Sequence, residues 1–364
     1  MIDLKIGMIC PFYPPHHGGT EKYVFNLSRI FSESNDVSVI TTRDESDIPS
    51  TERDRKLEIL RFRYHFKPLN NPISFSQIRY IISNYKTFDI LHFNDIYAFS
   101  TYSSLFIKKI PRVLTFHTWR IKYDSLFKNM LSYGFDKVAF DLIINKMDRL
   151  IVLVDSQKEY LEKRGVSPEK ISVIPNGIQT GFFGRDKDEA RKYFNIGTDF
   201  VYGYFGRLVE RKGLRLLLDV FSDSKFDLYI FGNGPLKPLI LKYSGKYQNI
   251  HFIEGPFSEE EVALIYSAID LYILPSLSGE GCPTGLLEAL SSGTMCLASD
   301  LPENVCTLKD KGLYFRTGDI KDLEEKIKSS RYEDMDKNDL KNYAREFDWK
   351  NISEKIMNVY NEIL

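Results

Sequence analysis

Cysteine is scarce, with only Cys10, Cys282, Cys296 and Cys306 in 364 residues, and no two of them form a C-x-x-C pair. This argues against a disulfide framework or a zinc ribbon and fits a reduced compartment. Long apolar runs are also missing: no stretch approaches the ~18 consecutive apolar residues of a membrane-spanning helix. The start, MIDLKIGMICPF, passes straight into a strand-like run without the charged, apolar and cleavage regions of a secretory signal. A cytoplasmic location is therefore expected. Charge of one sign is lacking too, since 49 Lys and Arg face 50 Asp and Glu, so no global excess points to nucleic acid. The six histidines show no metal-ligand spacing: His16 and His17 are adjacent and no H-E-x-x-H occurs. Repeats and low-complexity tracts are absent.

What is present is an ordinary globular composition, 43% hydrophobic and 27% charged, in a chain too long for one compact core. Two domains are expected. Short apolar runs at Leu4–Cys10, Val37–Thr41, Ile90–Phe93, Val113–Phe116, Leu150–Val154 and Ile171–Ile174 alternate with amphipathic stretches such as Thr20–Ser32 and Ser156–Arg164. A second series runs through Phe200–Phe205, Phe226–Phe231, Ile250–Ile253, Leu271–Leu274 and Met295–Ala298, with helical patterns at Leu214–Phe221, Ser258–Ala268 and Pro283–Ser291. Strands apolar on both faces, alternating with helices, predict α/β architecture with parallel sheets. Pro175-Asn176-Gly177 between the two series is a hinge candidate, so two Rossmann-like domains are expected rather than one barrel. The tail Trp349–Leu364 reads as an amphipathic helix, with Ile352, Ile356, Val359, Tyr360 and Ile363 on its apolar face.

Three loops carry candidate chemistry. In His16-His17-Gly18-Gly19-Thr20-Glu21, two glycines permit a tight turn and close approach to a ligand. Thr20 is suited to cap the following helix, whose N-terminus favours phosphate. The plain alternative is a strand–helix turn. In Gly206-Arg207-Leu208-Val209-Glu210-Arg211-Lys212-Gly213, at the end of the second domain's first strand, Arg207 and Lys212 are placed to hold a diphosphate, whereas Arg211 reads as solvated. Phe231-Gly232-Asn233-Gly234-Pro235 follows the next strand; its glycines either leave room for a nucleotide base or form an ordinary turn. The third loop, Pro275 to Thr284, leads into a helix expected to start near Pro283. There Gly281, Cys282, Pro283 and Thr284 offer main-chain amides, while Glu280 and Glu288 offer carboxylates at two depths.

In this order and spacing the pieces resemble glycosyltransferases of family 4, and the resemblance spans nearly the whole chain. It rests on Gly18-Gly19-Thr20-Glu21, His92, His117, Val173-Ile174-Pro175-Asn176-Gly177, Gly206-Arg207-Leu208, Lys212-Gly213, Gly232-Asn233-Gly234-Pro235, Leu274-Pro275-Ser276 and the E-x7-E pair Glu280 and Glu288. The resemblance implies the GT-B fold: two Rossmann-like domains facing each other across a cleft. Residues 1–177 with 349–364 would be the acceptor side and 178–348 the nucleotide-sugar side. It implies that Arg207 and Lys212 contact the donor diphosphate, Glu280 the sugar hydroxyls and Glu288 the ribose. The Gly18-Gly19 loop would close over the phosphates, with His117 near the donor sugar. It further implies retention of anomeric configuration without a metal or other cofactor, the leaving phosphate taking the acceptor's proton. Cys282 stands where an aromatic residue is usual and Gly285 where a larger apolar one is usual. Gly293-Thr294-Met295-Cys296 replaces the usual Gly-x-Pro-Val. These departures leave the identity of the hexose open.

Other readings are distinguishable. A nucleotide-sugar epimerase of the same fold would need no acceptor. An inverting transferase would use His117 as general base. A non-catalytic nucleotide-sugar binding subunit would bind donor without turnover. Asp186-x-Asp188 and Asp334-x-Asp336 follow no strand end and read as solvated helix or loop acids. His92 reads as a core residue. Residues 1–177 carry 25 Lys and Arg against 20 Asp and Glu, and residues 178–364 carry 24 against 30. The basic first half is one reason to expect a glycan or lipid-linked acceptor and peripheral association with the inner face of a membrane. The segment Trp119–Met147 reads mainly as front-domain helix, with Trp119, Arg120, Lys122 and Lys128 held open as an acceptor-facing surface.

Overall fold

Apolar runs flanked by amphipathic ones settle into parallel strands covered by helices on both faces, because strands buried on both sides must be sandwiched. The computed structural model describes residues 3–16, 18–44, 48–68, 71–117, 140–197, 199–278, 281–330 and 335–364. Two compact units emerge: Met1–Asn176 together with Trp349–Leu364, and Gly177–Asp348. In chain order the first unit contains β1 (Lys5–Ile9), α1 (Gly19–Phe31), β2 (Asp36–Arg43), β3 (Thr51–Asp54), β4 (Leu57–Arg63), α2 (Phe75–Asn84), β5 (Ile90–Asn94), β6 (Arg112–Phe116), β7 (Arg149–Val152), α3 (Asp155–Lys163) and β8 (Ile171–Val173). The second unit runs α4 (Lys187–Tyr193), β9 (Tyr202–Arg207), α5 (Leu214–Ser222), β10 (Leu228–Asn233), α6 (Lys237–Ser244), β11 (Ile250–Glu254), α7 (Glu259–Ala268), β12 (Leu271–Leu274), α8 (Thr284–Ser292), β13 (Met295–Ser299), α9 (Pro302–Leu308), β14 (Leu313–Phe315), α10 (Ile320–Ser330) and α11 (Lys337–Arg345). The chain then returns to the first unit as α12 (Trp349–Asn361).

The first sheet has the order β3-β4-β2-β1-β5-β6-β7-β8, parallel except for the β3–β4 hairpin. Alternation along β1 sends Ile6 and Met8 to one face and Ile9 to the other. On the first face they meet Tyr23, Val24, Leu27 and Phe31 of α1 and Trp349, Ile352, Ile356, Val359 and Tyr360 of α12. The other face packs Ile9, Ile40, Phe93 and Leu114 against Ile81 of α2 and Leu161 of α3. At about 1.5–3 kcal/mol per fully buried large apolar side chain, α12 is a structural part of this unit. The second sheet is parallel throughout, in the order β11-β10-β9-β12-β13-β14.

Both orders contain a reversal. From β1 the chain moves outward through β2, then returns to β5 on the other side; from β9 it moves out through β10 and β11, then returns to β12. Loops leaving the carboxyl ends of β1 and β5, and of β9 and β12, therefore diverge and leave a crevice where open α/β sheets bind ligands. The hairpin β3–β4 and the three-residue β14 extend the strands expected from sequence. The four cysteines, all among the described residues, form no disulfide.

Candidate functional site

In the second unit, main-chain contacts build the crevice. Gly206 (φ 153°) lets β9 end in Arg207, whose carbonyl accepts from the Tyr204 hydroxyl at 2.9 Å. A short turn, Glu210–Lys212, stops at Gly213 (φ 68°), a left-handed conformation that favours glycine. A Cβ at Gly213 would overlap the Pro275 carbonyl oxygen. The Leu277 amide donates to the Arg211 carbonyl at 2.7 Å, so the loops after β9 and β12 are bonded directly. Arg207 is exposed and has no carboxylate partner among the described residues, while the neighbouring Glu210 is held at 2.7 Å by Arg215. Lys212 is half-buried in the same turn.

Gly232 and Gly234 are required by main-chain packing, as in the ordinary-turn alternative. A Cβ on Gly232 would overlap the Gly206 carbonyl, and one on Gly234 would come within 2.6 Å of the Leu208 carbonyl oxygen. Asn233 accepts from the Leu208 amide at 2.9 Å, and Leu208 accepts from the Leu236 amide at 3.0 Å. These glycines let the β10 loop lie against the Arg207 loop.

Pro283 is extended and stands just before α8, which begins at Thr284, so the helix starts one residue later than the favoured first-turn proline implied. Gly281 and Thr284 flank a buried Cys282, whose sulfur accepts from Thr307 Oγ1 at 3.9 Å. Glu288, only 5% exposed, accepts from the Tyr266 hydroxyl at 3.0 Å. Burial, and then the Glu288 charge, push the Tyr266 hydroxyl well above its usual pKa, so it remains a donor. Gly285 also has a reason here. A Cβ there would lie 2.8 Å from the Tyr272 hydroxyl and 3.0 Å from that of Tyr266. Tyr266 was not marked by sequence reasoning; its place beside Glu288 comes from the packing of α7 against α8. Glu280 lies outside the described residues, as do His17, Trp119, Arg120, Lys122, Lys128 and Asp334.

In the first unit the crevice is lined by side chains. Gly18, extended, caps α1, and its carbonyl accepts from the Lys22 amide at 3.0 Å. Thr20 therefore lies inside the first turn rather than capping it. A Cβ at Gly18 would overlap the Glu21 carboxylate, whereas the corresponding space at Gly19 is open. His117 follows β6, its Nε2 3.2 Å from Asn94 Oδ1 and its ring edge-on to Tyr23 with centroids 4.5 Å apart. Asn94 donates through Nδ2 to the carbonyls of Ile9 and His92, both at 3.3 Å, leaving Oδ1 as an acceptor. The hydrogen of a neutral His117 thus belongs on Nε2, and Nδ1 has no hydrogen-bond partner among the described residues. Burial holds its pKa down at about 3, so it is neutral at physiological pH.

His92 is a core residue. Fully buried, it has Nδ1 2.6 Å from the Tyr360 hydroxyl and Nε2 2.7 Å from Thr115 Oγ1, tying α12 to the sheet. Asp95, another residue missed from sequence, follows Asn94 with φ 85°, uncommon for a non-glycine. Burial pushes its carboxyl up to about 6; the Glu21 charge acts in the same direction, and the Tyr97 amide donating at 3.0 Å opposes it. Asn176 is half-buried at the end of the first unit's continuous segment. Asp186 and Asp336 cap α4 and α11, the structural use expected of solvated acids. The structure thus groups Arg207 and Lys212 with the β12 loop in one unit, and Gly18 and His117 near Asp95 in the other.

Residues 17–182 match the family model described as Glycosyltransferase Family 4, and residues 186–347 match Glycosyl transferases group 1. An uncharacterized glycosyltransferase, MJ1069, of Methanocaldococcus jannaschii is 27% identical across 82% of this chain and 81% of its own length. The phosphatidyl-myo-inositol mannosyltransferase of Mycobacterium leprae is 25% identical across 99% and 97%. Among solved structures, Anabaena HepE in complex with UDP superposes with a TM-score of 0.77 at 16% identity, covering 99% of this chain and 100% of that one. Sucrose-phosphate synthase from Thermosynechococcus elongatus gives 0.76 at 19% identity, covering 99% of both chains. With both halves matched by family models and both units built on the same doubly wound plan, the chain is a family 4 glycosyltransferase of the GT-B fold.

Proposed function

We propose that this enzyme transfers a hexose from a UDP- or GDP-sugar to a glycan or lipid-linked acceptor, with retention and without a metal. The observation that carries the reading is the second unit's crevice, where Arg207, exposed and with no carboxylate partner among the described residues, precedes the Glu210–Lys212 turn, which is bonded through Arg211 to the β12 loop ahead of buried Glu288. Two cations beside main-chain donors suit a diphosphate, and a carboxylate suits ribose hydroxyls. Relatives support the substrate classes. HepE was solved with UDP-glucose, and an Escherichia coli relative, 31% identical over 47% of this chain, is named UDP-Gal:alpha-D-GlcNAc-diphosphoundecaprenol alpha-1,3-galactosyltransferase. The Mycobacterium leprae relative's name also specifies a lipid acceptor.

In this reading Arg207 and Lys212 neutralise charge that grows on the departing diphosphate. The bond from sugar C1 to the phosphate oxygen breaks, a bond from C1 to the acceptor oxygen forms on the same face, and the leaving phosphate takes the acceptor's proton. His117, neutral, accepts a hydrogen bond at Nδ1 from a sugar hydroxyl, and Glu280 serves the same sugar. Asp95, ionised above pH ~6, accepts from the incoming hydroxyl. Gly18 and Gly19 give the phosphates close access to the start of α1. No helix among the described residues is long and apolar enough to cross a membrane. In this reading a lipid acceptor is met peripherally, by the basic first unit. Proton NMR of the product tests the reading. Retention of the anomeric configuration, with turnover unchanged by a chelator, is expected; inversion or a metal requirement overturns that part.

A further inference from the structure

The second unit has a recess at the opposite edge of its sheet from Arg207. It lies by the amino ends of β9, β12 and β13, next to Phe200, Asp270 and Met295, and has a volume of about 310 Å³. Four cationic side chains line it: Arg185, Lys187, Lys337 and Lys341. Asp270 is the one carboxylate among the lining residues, and it is already committed to Lys187 and Arg191 and to the Val201 amide at 2.7 Å. Among the described residues, Arg185, Lys337 and Lys341 have no carboxylate partner. Arg185 lies over the Phe182 ring at 5.2 Å. The lysine stems pack where α8 ends: a Cβ at Gly293 (φ 75°) would stand 2.9 Å from Lys341 Cε and 3.3 Å from Lys337 Cβ. The Ser292 hydroxyl, also lining the recess, is enclosed without a hydrogen-bond partner.

The negative end of α8 accounts for a nearby cation, an effect that fades within one helical turn. It does not account for three cations without a carboxylate partner among the described residues, gathered around a walled space with an idle hydroxyl. Like charges gathered this way repel, and an anion relieves the repulsion while taking the hydroxyl's hydrogen bond. We propose that this recess is a second anion site, separate from the donor crevice, which takes the phosphate group of a small phosphorylated ligand. The volume leaves room for an organic body of sugar size.

The test titrates inorganic pyrophosphate by calorimetry into full-length R207A/K212A protein in chloride buffer, so that the donor crevice is silenced. Saturable binding is expected to remain and to weaken at least tenfold when K337A and K341A are added, with the melting temperature unchanged. A control pair of exposed lysines, K321A/K326A, should leave the affinity as it was. No saturable binding in the R207A/K212A background, full affinity in the K337A/K341A variant, or equal weakening by the control pair would overturn the site. Parallel co-sedimentation with phosphatidylglycerol vesicles distinguishes the source: retention lost in K337A/K341A identifies a lipid headgroup, and no retention alongside pyrophosphate binding identifies a free metabolite.

Discussion

The two units share one plan, a parallel sheet with a reversal and a crevice at its strand ends, yet they furnish that crevice differently. In Gly177–Asp348 the walls are peptide groups. Gly213 abuts the Pro275 carbonyl, Gly232 the Gly206 carbonyl and Gly234 Leu208, with Leu277 bonded to Arg211. In Met1–Asn176 the walls are side chains: His117 and Asp95, backed by buried Tyr23 and Asn94, three of the four with displaced ionisation. Peptide walls suit a ligand part that never varies, because a substitution changes them little unless a glycine is lost. Side-chain walls can be re-cut one residue at a time. A diphosphate is the constant part of a nucleotide sugar and the acceptor is the variable part, so the contrast follows the division of labour proposed above.

The sharpest way to break this contrast is to remove a cation. Arg207→Ala or Lys212→Ala should lower turnover by ~10²–10³-fold, the loss typical of one transition-state donor. Steady-state rates near wild type for both variants would remove the second unit from the chemistry. Next comes the peptide wall itself. Gly213→Ala forces a Cβ into the Pro275 carbonyl at a left-handed position, and should cost about 1–3 kcal/mol in chemical denaturation and reduce turnover. Unchanged stability would mean the two loops are not held as described. A smaller effect is expected from Tyr266→Phe, which removes the Tyr266 hydroxyl bond to buried Glu288. Donor KM should rise about tenfold with kcat nearly constant, equivalent to ~1–1.5 kcal/mol. A fall in kcat instead would move Glu288 from binding to chemistry. The mildest test concerns the side-chain wall. Wild-type activity should climb through pH ~6 as Asp95 ionises, and Asp95→Asn should flatten that limb. A limb that persists in the variant belongs to another group.

Much of the fold was legible because central strands are apolar on both faces: the run at Ile90–Phe93 maps onto β5, whose residues are all buried. The strand Thr51–Asp54 was not legible, because its sequence is polar and it lies largely exposed at a sheet edge, where pairing with Leu57–Arg63 supplies the order. In the site, glycine and charge spacing exposed the loops around Arg207 and Glu288. Asp95 stayed hidden, since its signals are a positive φ and burial, and neither leaves a mark in the string of residues. Tyr266 stayed hidden for a related reason: 22 residues separate it from Glu288, and only the packing of two helices brings them to 3.0 Å. Thr20 was misread because a threonine near a helix start resembles a cap, while the chain uses Gly18.

The late return of α12 has a consequence for synthesis. His92 and Tyr360, 268 positions apart, are in hydrogen-bond contact, so the part of one sheet face that α12 covers beside α1 stays open while the whole second unit is translated. At ~5–20 residues per second, the roughly 170 residues between them in that unit impose a delay of about 9–35 s. The unit that starts first is therefore finished last. Ribosome-bound chains halted before Trp349 would carry a folded second unit and a first unit still open to chaperones.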